Sequence, residues 1–119
     1  MTEILVVEDS PTQAAQLVFL LEDAGYTVSS AGDGVAALEL AREVDPDVVI
    51  LDLMLPRLSG LEVLARMNED EQLRDVPVIV ITAWNETRED VLAAGAADFV
   101  TKPFEPDRLR RAVRAAADR

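Results

Sequence analysis

Cysteine and histidine are both missing from this chain of 119 residues. Without a thiol there is no disulfide, no thiolate metal site and no thiol nucleophile. Without an imidazole there is no Ser-His-Asp triad, no histidine-bound zinc and no phosphohistidine of its own. Any acid–base or metal chemistry must run on carboxylates, hydroxyls, the backbone and a few cations. Lysine is nearly absent too: ten of the eleven basic residues are arginine, and the one lysine is Lys102. Positive charge is scarce overall, with a formal net charge of −12. Nucleic-acid affinity comes mostly from neutralising phosphates, so this domain alone is expected to bind no nucleic acid. An anionic membrane surface is disfavoured for the same reason. No apolar run approaches the ~18 residues of a membrane span. The start, Met1-Thr2-Glu3-Ile4-Leu5, carries no basic region of an export signal. The expectation is a cytoplasmic protein without a membrane partner.

What the chain does have is regular alternation. Its length suits one compact domain, residues 1–119, and no linker, repeat or low-complexity stretch divides it. Short runs rich in β-branched residues read as strands at Ile4–Val7, Tyr26–Ser29, Val48–Leu51, Val78–Ile81 and Phe99–Thr101. Several are apolar at every position, as expected where helices cover both faces of a parallel sheet. Between them, apolar residues recur at helical spacing, as in Ala14, Leu17, Val18 and Leu21, or Leu109, Ala112, Val113 and Ala116. Helices are predicted near 11–24, 34–44, 60–69, 86–94 and 106–117. Pro11 and Pro106 suit first helical turns, Gly25 and Gly95 suit C-terminal caps, and Asn85 is a candidate N-cap. The order βαβαβαβαβα implies right-handed crossovers and a five-stranded parallel sheet, an α/β fold.

In open α/β sheets the binding crevice lies beyond the carboxyl ends of the strands. The residues there are Glu8 and Asp9 after the first strand, Asp52 after the third, Thr82 after the fourth and Lys102 after the fifth. Three clustered carboxylates repel one another and need a cation or protons. An all-oxygen set suits a hard cation such as magnesium, with manganese as a substitute. Taken alone, Glu8 and Asp9 read equally well as loop acids. Asp52 sits between Val48-Val49-Ile50-Leu51 and Leu53-Met54-Leu55-Pro56, a setting that costs several kcal/mol if the carboxylate is buried unpaired. A strand-ending turn acid is the plainer alternative. Lys102 offers a compact, mobile ammonium where the chain otherwise uses arginine. Thr82, taken alone, is an ordinary strand-closing threonine.

These stretches resemble the receiver domains of two-component response regulators. The resemblance rests on Ile4-Leu5-Val6-Val7-Glu8-Asp9-Ser10, Val49-Ile50-Leu51-Asp52-Leu53-Met54-Leu55-Pro56, Val80-Ile81-Thr82-Ala83 and Ala94-Gly95-Ala96-Ala97-Asp98-Phe99-Val100-Thr101-Lys102-Pro103-Phe104, in order over nearly the whole chain. It implies a flavodoxin-like doubly wound sheet of strand order 2-1-3-4-5. It implies Asp52 as phosphoacceptor, with Thr82 and Lys102 assisting. Glu8, Asp9, Asp52 and the backbone carbonyl of Met54 would hold Mg²⁺, and Thr82 and Phe99 would form the switch pair. The implied partners are a sensor histidine kinase or phosphotransfer protein and a downstream protein or effector domain. The fourth helix, fifth strand and fifth helix form the output face, with homodimerisation through it as a further option. Arg108, Arg110, Arg111 and Arg114 make the last helix basic, which suits either a partner or the helix dipole. A cis Lys102–Pro103 bond is expected.

Two positions depart from the commonest family pattern: Phe99 stands where tyrosine is frequent, and Glu8 where aspartate is. A phosphatase working through an aspartyl phosphate would carry an acid two residues after the nucleophile, where this chain has Met54. The remaining alternatives are a receiver-like module that acts without phosphorylation, and a receiver that is part of a hybrid kinase or DNA-binding regulator.

Overall fold

In the computed structural model, residues 2–83 and 88–118 are described. The strands are β1 (Glu3–Val7), β2 (Thr27–Ala31), β3 (Val48–Asp52), β4 (Val78–Thr82) and β5 (Asp98–Thr101). The helices are α1 (Pro11–Asp23), α2 (Gly34–Val44), α3 (Gly60–Glu69), α4 (Arg88–Ala93) and α5 (Pro106–Ala117). All the strands pair in parallel in the order β2-β1-β3-β4-β5. This is the predicted doubly wound sheet.

The uninterrupted apolar strands have a simple physical basis. Alternate side chains leave the sheet on opposite faces, and both faces are covered. Leu5, Val7, Val49, Leu51 and Val80 pack under α2, α3 and α4. Ile4, Val6, Val48, Ile50, Ile79 and Ile81 pack under α1 and α5. Each helix contributes the stripe its spacing predicts: Leu17 and Leu21 from α1, and Leu109, Ala112, Val113 and Ala116 from α5. Fully buried leucines such as Leu21, Leu64 and Leu109 each contribute about 2 kcal/mol of apolar burial.

The caps explain where the elements begin. Ser10 accepts from the Gln13 amide to cap α1, Asp33 caps α2 and Ser59 caps α3, with proline in the first turns of α1 and α5. Gly25 and Gly95 have φ of +98° and +110°, the left-handed turn at which glycine ends α1 and α4 without steric cost. The second strand lies two residues beyond its expected limit. The Tyr26 amide still donates to the Leu21 carbonyl, closing the helical turn, and pairing with Thr2 starts only at Thr27. Ser29 and Ser30 are polar because β2 is an edge strand, and that polarity hid its true length. The Asn85 cap and the first residues expected of the fourth helix lie outside the described residues.

Candidate phosphoacceptor site

Four strand ends meet at one edge of the sheet. Glu8 and Asp9 follow β1 directly, and the Glu8 amide still donates to the Ala31 carbonyl, carrying the β1–β2 ladder one step further. β3 ends in Asp52 and β4 in Thr82. The Lys102 amide donates to the Thr82 carbonyl at 2.9 Å, which fixes the lysine beside that strand end. The Lys102–Pro103 peptide is cis, as expected from the sequence.

The side chains converge. Asp52 is 6 % exposed and Glu8 4 %, a degree of burial unusual for carboxylates. The Lys102 ammonium lies 2.7 Å from Asp52 Oδ2 and 2.8 Å from Glu8 Oε1. The second oxygens also have donors: Asp52 Oδ1 accepts from the Met54 amide at 2.8 Å, and Glu8 Oε2 from the Ser10 amide at 3.2 Å. The apolar setting of Asp52 thus belongs to a buried carboxylate with partners rather than a solvated turn acid.

Burial sets the charges. It pushes the Glu8 carboxyl above its ordinary range, against the pull of the Lys102 ammonium, and neighbouring Asp52 pushes the same way. Burial alone would depress the Lys102 ammonium, but its hydrogen bonds to Asp52 and Glu8 outweigh that, and the net shift is upward. Lys102 therefore stays protonated. One cation faces two buried acids, with a third acid, Asp9, exposed at the rim. One carboxylate oxygen from each of Glu8, Asp9 and Asp52 lies within 4.8 Å of the others. That oxygen-only, net-negative set fits a hard divalent cation with room for phosphate oxygens. Met54 presents its amide to Asp52 and a half-exposed side chain to solvent.

Gly60 explains how α3 reaches the site. A Cβ at this position would lie 2.5 Å from both the Asp52 carbonyl oxygen and the Leu53 Cα. Only glycine lets the helix start against the backbone of the central acid, where its amide donates to Leu53.

The two residues expected to form a switch pair, Thr82 and Phe99, both lie inside the fold. Thr82 is fully buried, and the Phe99 ring lies at 7 % exposure in the apolar cluster with Val80 and Val91. Around Phe99 the structure adds contacts the sequence did not disclose. Arg108 holds Asp98 through both guanidinium nitrogens, at 3.1 and 3.3 Å, and donates to the Phe99 carbonyl at 3.2 Å. Arg88 reaches the same carboxylate. Burial works to raise the Asp98 carboxyl, yet Arg108 prevails and holds it below the ordinary range. The basic character expected of α5 is accordingly reduced, since Arg108 is spent on Asp98 and Arg110 pairs with Asp107. Arg111 and Arg114 stay exposed.

One polar neighbour escaped the sequence reading altogether. The Gln13 side-chain carbonyl accepts from the Lys102 ammonium at 2.6 Å. A neutral residue in the first turn of α1 gave no charge signal, although its place one turn after Glu8 and Asp9 could have suggested it. Beside it a largely apolar groove of about 1180 Å³ runs between α1 and Lys102, lined by Pro11, Leu17, Leu20 and Phe104, with Phe19 on its rim 73 % exposed.

Known proteins resemble this chain in sequence and fold. The chain is 38 % identical over 117 residues to the DNA-binding dual master transcriptional regulator RpaA of Synechocystis, covering 97 % of this chain and 48 % of RpaA. It is 42 % identical over 114 residues to the DNA-binding response regulator MtrA of Mycolicibacterium smegmatis, covering 94 % and 49 %. It therefore spans about half the length of these curated relatives. Among solved structures, the receiver domain of a sensor histidine kinase from Pseudomonas aeruginosa, with magnesium coordinated in its active-site cleft, superposes with a TM-score of 0.91 at 32 % identity, covering 99 % of this chain and 98 % of that one. Residues 4–114 match the family described as response regulator receiver domain. With this match added to the strand order and the acidic cleft, the chain belongs to the receiver-domain family of two-component response regulators.

Proposed function

We propose that this domain is a signalling switch whose Asp52 accepts a phosphoryl group from a kinase phosphohistidine. The observation that carries this reading is the buried Asp52 carboxylate held 2.7 Å from the chain's single lysine. Phosphoryl transfer is accelerated mainly by alignment and by neutralising charge on the transferring oxygens. Asp52 Oδ1 is turned toward the Met54 amide and Oδ2 toward Lys102, so the carboxylate is oriented before any donor arrives. As the phosphoryl group joins one oxygen of Asp52, the Lys102 ammonium follows the new charge and the Thr82 hydroxyl supplies a further donor.

Glu8, Asp9, Asp52 and the Met54 carbonyl are the residues that would hold Mg²⁺, or Mn²⁺ in its place. The bound ion would neutralise phosphoryl oxygens in transfer and in hydrolysis of the acyl phosphate. Self-limited dephosphorylation follows from the lability of that mixed anhydride at a site open to water. The domain is a regulator that assists its own phosphorylation and dephosphorylation rather than an enzyme acting on other substrates.

Signal output is assigned to the face built by α4, β5 and α5. Movement of Thr82 toward the phosphoryl group repacks the Phe99 ring behind it and shifts an equilibrium between two arrangements of this face. The partners are a histidine kinase or phosphotransfer protein on the input side and a protein or effector domain on the output side. Similarity to half of two DNA-binding regulators supports a setting in which this domain controls a second one. Residues 1–119 act as one domain, and the cytoplasm is the compartment that fits a kinase-fed switch.

The test is phosphoryl labelling. A small acyl-phosphate donor with magnesium should label the wild-type domain at one site that maps to Asp52. Label persisting in Asp52→Asn would overturn the assignment.

A further inference from the structure

An ammonium has three N–H donors and no acceptor. All three of Lys102 have partners here: Asp52 Oδ2 at 2.7 Å, Glu8 Oε1 at 2.8 Å and Gln13 Oε1 at 2.6 Å. The three acceptors are not equivalent. Asp52 and Glu8 are buried and charged, whereas Gln13 is neutral and exposed. Two arms of the tripod therefore point into the protein, and the third points toward solvent, from which a phosphoryl group must come.

We propose that Gln13 is a positioning residue for Lys102, a neutral placeholder acceptor that an incoming phosphoryl oxygen displaces. The inference rests on the phosphoacceptor reading of Asp52 and deepens it. The chemistry of the third acceptor suits the task. A carboxylate there would hold the ammonium with a charge-assisted bond and would repel the phosphoryl group. An apolar side chain would leave the third N–H to water. An amide oxygen holds the ammonium in place, yet its neutral bond is readily exchanged for one to a dianionic phosphoryl oxygen. The assignment of Oε1 toward Lys102 follows from chemistry, because the amide nitrogen has no lone pair to offer an ammonium. Gln13 also sits in the first turn of α1, fixed there by its own amide bond to the Ser10 cap. The release of Lys102 is thus linked to the start of α1, an element that carries no acid of the site.

The single lysine makes the test direct, since ¹⁵N-lysine labelling gives one side-chain ammonium signal. Wild type, Gln13→Leu and Gln13→Glu are compared, each with magnesium and with beryllofluoride as a stable phosphoryl mimic. Position 13 is an exposed helix site, so both variants should fold. In the resting domain, Gln13→Leu should speed hydrogen exchange of the Lys102 ammonium several-fold. With the mimic bound, wild type and Gln13→Leu should give the same exchange, because the mimic has taken the third N–H. Removing a neutral competitor should tighten beryllofluoride binding about 3- to 10-fold, and Gln13→Glu should weaken it by at least as much. Unchanged ammonium exchange in Gln13→Leu overturns the tripod. Equal or weaker mimic binding in that variant overturns the placeholder role. If wild type binds no beryllofluoride while its ammonium exchange still responds to Gln13→Leu, the contact stands, and it is the phosphoacceptor reading that fails, taking the handover with it.

Discussion

Lys102 and Asp52 stand fifty residues apart in the chain and 2.7 Å apart in space. The pair joins the end of β5 to the end of β3 across β4, so the central acid and its only ammonium are held by different strands of one rigid sheet. Glu8, from a third strand, shares the same ammonium.

Removing that ammonium should be costly twice over. Lys102→Ala leaves two buried carboxylates facing each other, each stripped of a charge-assisted bond. The expected outcome is a loss of about 2–3 kcal/mol in urea denaturation near neutral pH, together with loss of acyl-phosphate labelling. A variant as stable as wild type would show that the pairing contributes nothing to the fold.

Metal affinity should depend on the exposed acid. Asp9→Ala removes one of three oxygens that lie within 4.8 Å of one another and leaves the two that Lys102 already compensates. Calorimetric titration with magnesium should show binding weakened at least tenfold. Unchanged affinity would remove Asp9 from the ligand set.

Gly60→Ala should destabilise the fold at the site itself. The added methyl would meet the Asp52 carbonyl and Leu53 Cα at 2.5 Å, and backbone atoms on both sides cannot swing away. A cost of about 2–3 kcal/mol is expected, with slower labelling because the Asp52 backbone must shift. Full stability in denaturant would contradict the close approach.

Asp98 gives a pH signature. Its carboxyl is held low by Arg108, so the folded state binds the proton less readily than the unfolded one. Its stabilisation is therefore complete above the unfolded value of about 4 and fades as pH falls through the lower folded value. Asp98→Asn should cost about 1 kcal/mol at pH 7, and the gap from wild type should close only at strongly acid pH. A gap that is constant down to the acid limit would mean that the Arg108 contact is not electrostatic.

The output face should respond at a distance. Beryllofluoride with magnesium should move amide resonances of α4, β5 and α5 as well as those at residues 8, 9, 52 and 82. Changes confined to the acidic pocket would show that this face carries no signal.

Much of this was readable from the chain because the fold uses its residues in repeated ways. Strands buried on both faces left runs such as Val48–Leu51 with no polar interruption, and proline and glycine marked α1, α4 and α5 where their backbone preferences apply. The site was legible because lysine is so scarce: a lone lysine beside three strand-end acids stands out. Neutral and local geometry was not. Gln13 carries no charge, and the Asp98–Arg108 clamp depends on a crossing of β5 and α5 that spacing alone does not reveal. The second strand was expected to stop at Ser29, and it runs on through Ser30 to Ala31 because an edge strand tolerates polar residues that a central one does not.

The strand order has a consequence for how the chain reaches this state. β1 lies between β2 and β3, with Glu3 opposite Thr27 and Ile4 opposite Val48, so no ladder can form as a tight hairpin. Every pairing in the sheet must first close a loop that contains a helix, and the entropy of closure comes before the contacts that offset it. The first strand is synthesised before both of its sheet neighbours, and its inner neighbour follows only after two helices and another strand. A growing chain therefore emerges with an unpaired, wholly apolar Ile4–Val7 segment, which stays a liability for association until β3 arrives to cover it.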